Sequence, residues 1–407
     1  KKTAFLQALV IVILLTASWF LSLTRKRSVD APVSEEPASP TPTPIEESLP
    51  DETPAEPEVV EQVAADEPAP AGTTVSNLGA VPPLWVDWIN YLQQQSTPED
   101  LRNAIMAMRE AVFSMEQADA SARLIELIIS RVDIPTGMAF QVGPGGNLEG
   151  GPSLQVLLAD WLGQIDPERA AGLARLALTG GGTGLGQDLY VIHMRNFARG
   201  TPDGEDRGNF LKGHFRILLG HQPWIDDPGS AFAEAMDVAV YLEDPLLVPE
   251  IASLTTGDKA PRLRHASSLA LERMIDQAPV DAISQLLSSP EGQAMNPSAR
   301  AGFVARLDPV TPAGQALLKD YLVSPQTSRE EAERFLAHFP NMNQSLSHNL
   351  LSTNFSNTES TGHMERLQRA LETVRKWEAD PDLAELGDSL NVAATRLSAQ
   401  VSPLPQP

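Results

Sequence analysis

The stretch of this chain most suggestive of chemistry is a glycine-rich run, Thr179-Gly180-Gly181-Gly182-Thr183-Gly184-Leu185-Gly186. Backbone amides in such a run bind phosphate when the run joins a strand to a helix. Here the run lacks the Gly-Lys-Ser/Thr ending of a P-loop and the spacing of a dinucleotide fingerprint. Because it also follows a predicted helix, we interpret it as a loop that ends that helix. A second glycine-rich stretch, residues 143–151, is interpreted in the same way as a long turn between helical blocks.

Histidine spacing and the absence of cysteine argue against a metal site. His214 and His221 lie seven residues apart, but no carboxylate stands at ligand spacing between them, and no His-Glu-x-x-His motif occurs. A chain without cysteine has no thiolate metal site and no cysteine nucleophile. Nothing selects a Ser/His/Asp triad or a carboxylate pair. We therefore predict no catalytic residue, no metal and no cofactor, and interpret the histidines as structural or surface residues.

One tryptophan is a candidate for binding a partner. Trp161 and Trp377 stand on helical apolar stripes, which indicates core positions. Trp224 instead follows Pro223 and precedes Asp226-Asp227-Pro228, so it should lie in a loop or at a helix edge. Our hypothesis is that Trp224 anchors a protein partner. The alternative is that it packs onto a neighbouring helix.

The elements that hold these residues follow an N-terminal apolar segment. A 21-residue apolar run from Thr3 to Leu23 is preceded by two lysines and followed by Arg25-Lys26-Arg27. At about 1.5 Å per residue such a helix spans roughly 30 Å, the thickness of a bilayer core. Residues 1–27 are therefore predicted to be a single-pass membrane anchor, with residues 3–23 in the lipid.

A cleaved signal peptide is the alternative for this segment. The run exceeds the usual 7–15-residue apolar core, and no clean small-x-small cleavage site follows it. Trp19 and Phe20 near its end suit a membrane boundary. The basic flanks are nearly balanced, and Arg25-Lys26-Arg27 taken alone would favour a cytoplasmic location for the rest of the chain. The acidic linker that follows favours export, and we expect an extracytoplasmic (periplasmic) location for the rest of the chain.

Residues 28–82 have the composition of a disordered linker. They contain 11 prolines, 12 acidic residues and no lysine, arginine or aromatic residue. Such a segment cannot bury enough apolar surface to offset the entropy of ordering. The formal net charge of the whole chain is −23, which disfavours nucleic acid as a partner. We predict a spacer between the membrane and the helical domain.

From residue 83 to residue 400 the apolar spacing is that of helices. Thr97-Pro98-Glu99-Asp100 is a typical helix start, with an N-cap, a proline and acids in the first turn. Later helices are predicted over 363–379 and 383–397, and residues 401–407 should be a frayed tail. Sustained strand patterns do not occur. The predicted fold class is all-α.

Residues 238–287 carry a more specific pattern. Asp244-Pro245 precedes Val248-Pro249-Glu250-Ile251-Ala252-Ser253-Leu254, and a Gly257-Asp258 turn leads to Leu263-Arg264-His265-Ala266 with Ala270-Leu271 behind it. This stretch resembles a HEAT-like helical repeat. The resemblance implies an α-solenoid of irregular antiparallel helix pairs with a concave protein-binding face. A compact multi-helix bundle is the alternative.

These observations predict a membrane-tethered protein-interaction or scaffold module that is not an enzyme. Tethering would raise the effective concentration of the domain near membrane-bound partners. The alternatives are a tethered all-α superhelical enzyme acting on a cell-envelope polymer and a structural spacer without a specific ligand. An enzyme would need a groove with convergent carboxylates of perturbed pKa.

Overall fold

The computed structural model describes residues 85–343, 349–352 and 361–401. The predicted membrane span, the linker and residues 402–407 lie outside this part of the chain. The α-helices are α1 (Trp85–Gln93), α2 (Pro98–Phe113), α3 (Gln117–Ser130), α4 (Leu154–Ile165), α5 (Pro167–Gly181), α6 (Gln187–Gly200), α7 (Glu205–Leu219), α8 (Gln222–Asp226), α9 (Ser230–Glu234), α10 (Asp237–Tyr241), α11 (Val248–Ala252), α12 (Pro261–Gln277), α13 (Pro279–Ser288), α14 (Pro290–Gln293), α15 (Pro297–Val304), α16 (Pro312–Val323), α17 (Arg329–His338), α18 (Thr361–Glu378) and α19 (Gly387–Val401).

Short 3₁₀ turns occur at Pro144–Gly146, Gly182–Leu185, Pro245–Leu247 and Pro381–Leu386. Strands β1 (Gln141–Val142) and β2 (Leu148–Gly150) pair antiparallel. The predicted all-α class is thus confirmed, with one short hairpin that the sequence did not reveal. In the part of the chain that the structure describes, no helix is long and apolar enough to cross a membrane.

Proline and a capping side chain begin many of these helices. Thr97 Oγ1 accepts a hydrogen bond of 3.1 Å from the amide of Asp100, and Pro98 occupies the first turn of α2. Asp166 ends α4 and caps α5 in the same way, accepting from the amide of Arg169 at 3.1 Å. The capping oxygen satisfies an amide that has no partner inside the helix. The predicted helix start at residues 97–100 is therefore confirmed.

Consecutive helices pack against one another along the chain. In the first half, α3 packs on α4, and α4, α5 and α6 contact one another. In the middle, α12 contacts α9, α10, α11 and α13. Near the end, α15 contacts α17, and α19 contacts both α17 and α18. The predicted late helices are observed as α18 and α19, and α19 extends to Val401, the first residue of the predicted tail.

The middle of the chain contains the helices predicted from the HEAT-like pattern. The first helix, α11, is only five residues long, because the 3₁₀ turn Pro245–Leu247 precedes it and a turn follows at Ser253. It packs on both α12 and α13. The α11–α12 pair thus buries the apolar side chains Val248, Ile251 and Leu263.

The interior is apolar and includes four of the tryptophans, Trp88, Trp161, Trp224 and Trp377. Trp161 is 1% exposed and Trp377 is 5% exposed, which confirms their predicted core positions. Trp377 lies beside the ring of Phe339, with 5.7 Å between ring centroids. Buried aromatic side chains of this size contribute strongly to core stability.

Candidate functional site

A surface groove of about 440 Å³ lies between the end of α7, helices α8 and α11, and the start of α14. Its volume is within the range of small-ligand and anchor-residue sites. Leu219, Ile225 and Leu254 supply its apolar lining. Ile225 is 6% exposed and Leu254 is 4% exposed, so they form the buried base of the groove. The other lining residues are Arg216, Gly220, Glu250, Ser253, Lys259 and Glu291.

Two of the four charged residues in the groove form an ion pair. Arg216 donates from Nε to Oε1 of Glu250 at 2.8 Å, which connects α7 to α11. Both side chains remain partly exposed, so the pair contributes less than about 1 kcal/mol to stability. Its main effect is to fix α7 and α11 relative to each other at one side of the groove.

The other two charged residues have no such partner. Lys259 lies in the turn after α11 and Glu291 in the first turn of α14, and both are half-buried. Among the described residues, neither takes part in an ion pair or a hydrogen bond. Within the described part of the chain, the groove therefore presents one unpaired positive charge and one unpaired negative charge around an apolar base.

Trp224 lies next to this groove but points into the chain. Only 7% of its surface is exposed. Its ring contacts His221, at 4.3 Å between centroids, and Tyr190, at 5.4 Å with edge-to-face geometry. A side chain covered to this extent offers little area to a partner, which favours the packing alternative, and the hypothesis that Trp224 anchors a partner stays a prediction. The following residue, Ile225, is the one that lines the groove.

Among the residues that the structure describes, the histidines do not converge on a metal site. His214 is buried, and its Nδ1 lies 2.8 Å from the hydroxyl of Tyr190. Burial lowers the pKa of His214. Within the residues that the structure describes, no group of three or more potential metal ligands is found.

The two glycine-rich stretches also serve structure. Helix α5 continues to Gly181, and the run ends in the 3₁₀ turn before α6, as predicted. The stretch 143–151 contains the turn and the second strand of the β1–β2 hairpin. Gly146 has φ +69°, and a Cβ there would meet the carbonyl oxygens of Leu350 and Asn349 at 2.4 and 2.6 Å. Glycine is required at this position by both the conformation and the close approach.

A buried ion pair holds this hairpin in place. Asp160 on α4 and Arg195 on α6 have side chains that are 0% exposed, and they form a salt bridge. Asp160 also accepts from the amide of Leu148 at 3.1 Å and from Gln164 at 2.6 Å. Arg195 donates to the carbonyl of Gly146 at 3.0 Å. The pair is thus hydrogen-bonded on both sides, which is the condition for burying two charges.

Two further charged residues bind the segment 349–352. Arg199 donates to the carbonyls of Gly145 and Leu350, both at 2.6 Å. Asp237 accepts from the amides of Leu351 and Ser352, at 2.7 and 2.9 Å. Burial and the charge of Arg195 lower the pKa of Arg199 to about 10. Both of these amides donate to Oδ2 of Asp237, while Oδ1 accepts from the hydroxyl of Ser352 and lies 3.6 Å from Nη1 of Arg273, so this carboxylate acts as a structural anchor.

Glu234 is a partly buried carboxylate with a raised pKa. It ends α9, three residues before Asp237. Burial, and then the negative charge of Asp237, raise its pKa to about 7, against the opposing charge of Arg273. Carboxyl groups with a shifted pKa occur at acid/base catalytic sites, but also in structural clusters of charged residues.

No protein-family model, curated protein or solved structure matches this chain. Its function therefore has to be argued from the geometry of these sites.

Proposed function

We propose that this chain is a membrane-tethered protein-interaction module. Residues 3–23 would anchor it in the bilayer, and residues 28–82 would hold the helical domain away from the membrane. The helix pairs would form an irregular HEAT-like array. The acidic linker that follows the anchor supports export of the domain, to an extracytoplasmic location.

The observation that carries this proposal is the groove between α7, α8, α11 and α14. It combines an apolar base with unpaired charges, which is the anatomy of a protein-binding site: a desolvated centre with a polar rim. It also lies on the HEAT-like stretch, since Glu250, Ser253 and Leu254 belong to that stretch. Repeat proteins commonly bind partners along the surface that consecutive helix pairs create.

Proximity labelling in cells tests the proposal. A labelling enzyme is fused to the C-terminus of the full chain and of a copy that lacks residues 1–27. The full chain should label a discrete set of membrane-associated proteins that the shortened copy does not label, because only the tethered domain is concentrated near them. Identical labelled sets, or a full chain that fractionates with soluble proteins, would contradict the tethered module.

A second candidate function is an enzyme acting on a cell-envelope polymer. The observation that favours it is Glu234, because a carboxyl group with a pKa of about 7 is suited to donate a proton at neutral pH. The neighbouring carboxylate, Asp237, is already bound to the 351–352 backbone and is a poor partner for catalysis. Release of dye-labelled envelope polymer by the full chain, abolished in Glu234→Gln, would support this alternative.

A further inference from the structure

The groove between α7, α8, α11 and α14 has a pattern of charge that specifies the chemistry of its partner. Lys259 and Glu291 are half-buried and have no ion pair among the described residues. A charge that is partly removed from water and lacks a counter-charge forgoes electrostatic stabilisation. A partner that supplies the opposite charges would provide it.

The other two charged residues of the groove form an ion pair with each other. Arg216 and Glu250 are paired at 2.8 Å, so they offer a partner little additional attraction. The free charges are therefore one cation and one anion. This balance disfavours a polyanion such as nucleic acid or an anionic lipid surface, since Glu291 would repel it.

We propose that the groove binds a short protein segment that carries an apolar anchor residue flanked by an acidic residue and a basic residue. The anchor covers the apolar base formed by Leu219, Ile225 and Leu254. The acidic residue pairs with Lys259, and the basic residue pairs with Glu291. This inference rests on the proposed function and adds the chemical class of the partner.

The chain's own linker does not fit this description. Residues 28–82 contain no lysine, no arginine and no aromatic residue. A linker segment in the groove would leave Glu291 unpaired and would place further acidic side chains beside Glu250. The linker is therefore not the expected occupant, and the occupant that we propose is a segment of another protein.

The size of the groove limits how much of the partner enters it. A volume of about 440 Å³ accommodates a few side chains, not a folded domain. Binding should therefore depend on a short linear segment, and a peptide should reproduce it. This allows the partner chemistry to be tested before the partner itself is identified.

The test uses the full-length chain in mild detergent and a phage-displayed library of random 12-residue peptides. Enriched peptides should share an Ile, Leu, Phe or Trp with an acidic residue on one side and a basic residue on the other. Synthetic copies are then measured by isothermal titration calorimetry. Lys259→Glu and Glu291→Lys should each weaken binding roughly tenfold, because each replaces an attraction by a repulsion.

Matched controls separate the groove from general charge effects. Lys376→Glu on α18 and Glu168→Lys on α5 reverse exposed charges that lie outside the groove and have no ion pair in the described structure. They should change the affinity less than about twofold. Circular dichroism of every variant checks the fold, and Lys259→Gln and Glu291→Gln provide milder versions of the test.

The double variant Lys259→Glu/Glu291→Lys gives the decisive comparison. It keeps the net charge and any attraction between the two positions but exchanges their signs. It should prefer a peptide in which the acidic and basic residues are exchanged, and bind the original peptide about tenfold more weakly. Equal affinity of the double variant and the natural chain for the original peptide would overturn the inference.

Two further results of the peptide experiment would refute the proposed chemistry of the partner. Enrichment of no peptide, or of peptides insensitive to changes at 259 and 291, would refute this partner chemistry. Either result would leave tether-dependent proximity labelling unaffected, so the proposed function would stand or fall on that separate experiment.

Discussion

Replacing Glu234 with glutamine should change the pH dependence of stability in a direction that follows from its environment. Burial and the charge of Asp237 raise the pKa of Glu234 from 4.5 to about 7. Between these values the folded chain holds a proton that the unfolded chain has released. The free energy of unfolding of the natural chain therefore falls as the pH rises from about 4.5 to about 7.

The size of this effect follows from the pKa difference. At about 1.36 kcal/mol per pKa unit, a change from 4.5 to about 7 sets a ceiling of roughly 3 kcal/mol. Glu234 keeps some contact with water, so we expect about 1–2 kcal/mol. Glutamine is neutral throughout this range. Glu234→Gln should therefore be nearly neutral at pH 5 and more stable than the natural chain by about 1–2 kcal/mol at pH 8.

Urea unfolding followed by circular dichroism at pH 5, 6, 7 and 8 measures this difference. Comparing variant with natural chain at each pH cancels the titration of other groups. Glu126→Gln, at an exposed position on α3, controls for the loss of a carboxylate as such. A stability difference that stays constant from pH 5 to pH 8, or that favours the natural chain at pH 8, would refute the account of Glu234.

Three other substitutions test the interior. Asp160→Asn leaves the buried charge of Arg195 without its counter-ion and should cost about 3–5 kcal/mol in urea unfolding; a cost below 1 kcal/mol would contradict the buried pair. Trp224→Ala should cost about 3–5 kcal/mol by the same assay while the proximity-labelled set is retained in folded protein; lost labelling at unchanged stability would support Trp224 as a partner anchor. Burial, and then the charge of Arg195, lower the pKa of His193 to about 4. The free energy of unfolding of the natural chain should therefore fall by about 1–3 kcal/mol as the pH falls from 6.5 through 4, and that of His193→Leu should fall by less. Parallel dependence of the free energy of unfolding on pH in the two chains would contradict this prediction.

Local signals were sufficient to predict the all-α class and some of the helix starts. The N-cap and proline at residues 97–98 and at 166–167 are read directly from sequence, because capping depends on neighbouring residues only. The β1–β2 hairpin was missed because strands of two and three residues show no alternation. Its stability comes from Arg195, about 50 residues away along the chain, and such a contact has no local signature.

The groove was not predicted from the sequence. The sequence pointed to Trp224 because prolines and aspartates surround it, and the groove does involve the adjacent residue, Ile225. Its charged residues are spread from Arg216 to Glu291 and form no motif. Whether Lys259 and Glu291 have partners depends on distances across helices, which a sequence pattern does not contain.

The most direct test of the account is photocrosslinking from inside the groove in native membranes. A photoreactive amino acid replaces Ser253, which lines the groove, and in a control chain it replaces Thr395, an exposed residue of α19. We expect a discrete protein adduct from position 253 that disappears when an enriched peptide is added or when residues 1–27 are removed, and no such adduct from position 395. The absence of an adduct at 253, or the same adducts from both positions, would contradict a membrane-tethered module that binds its partner through this groove.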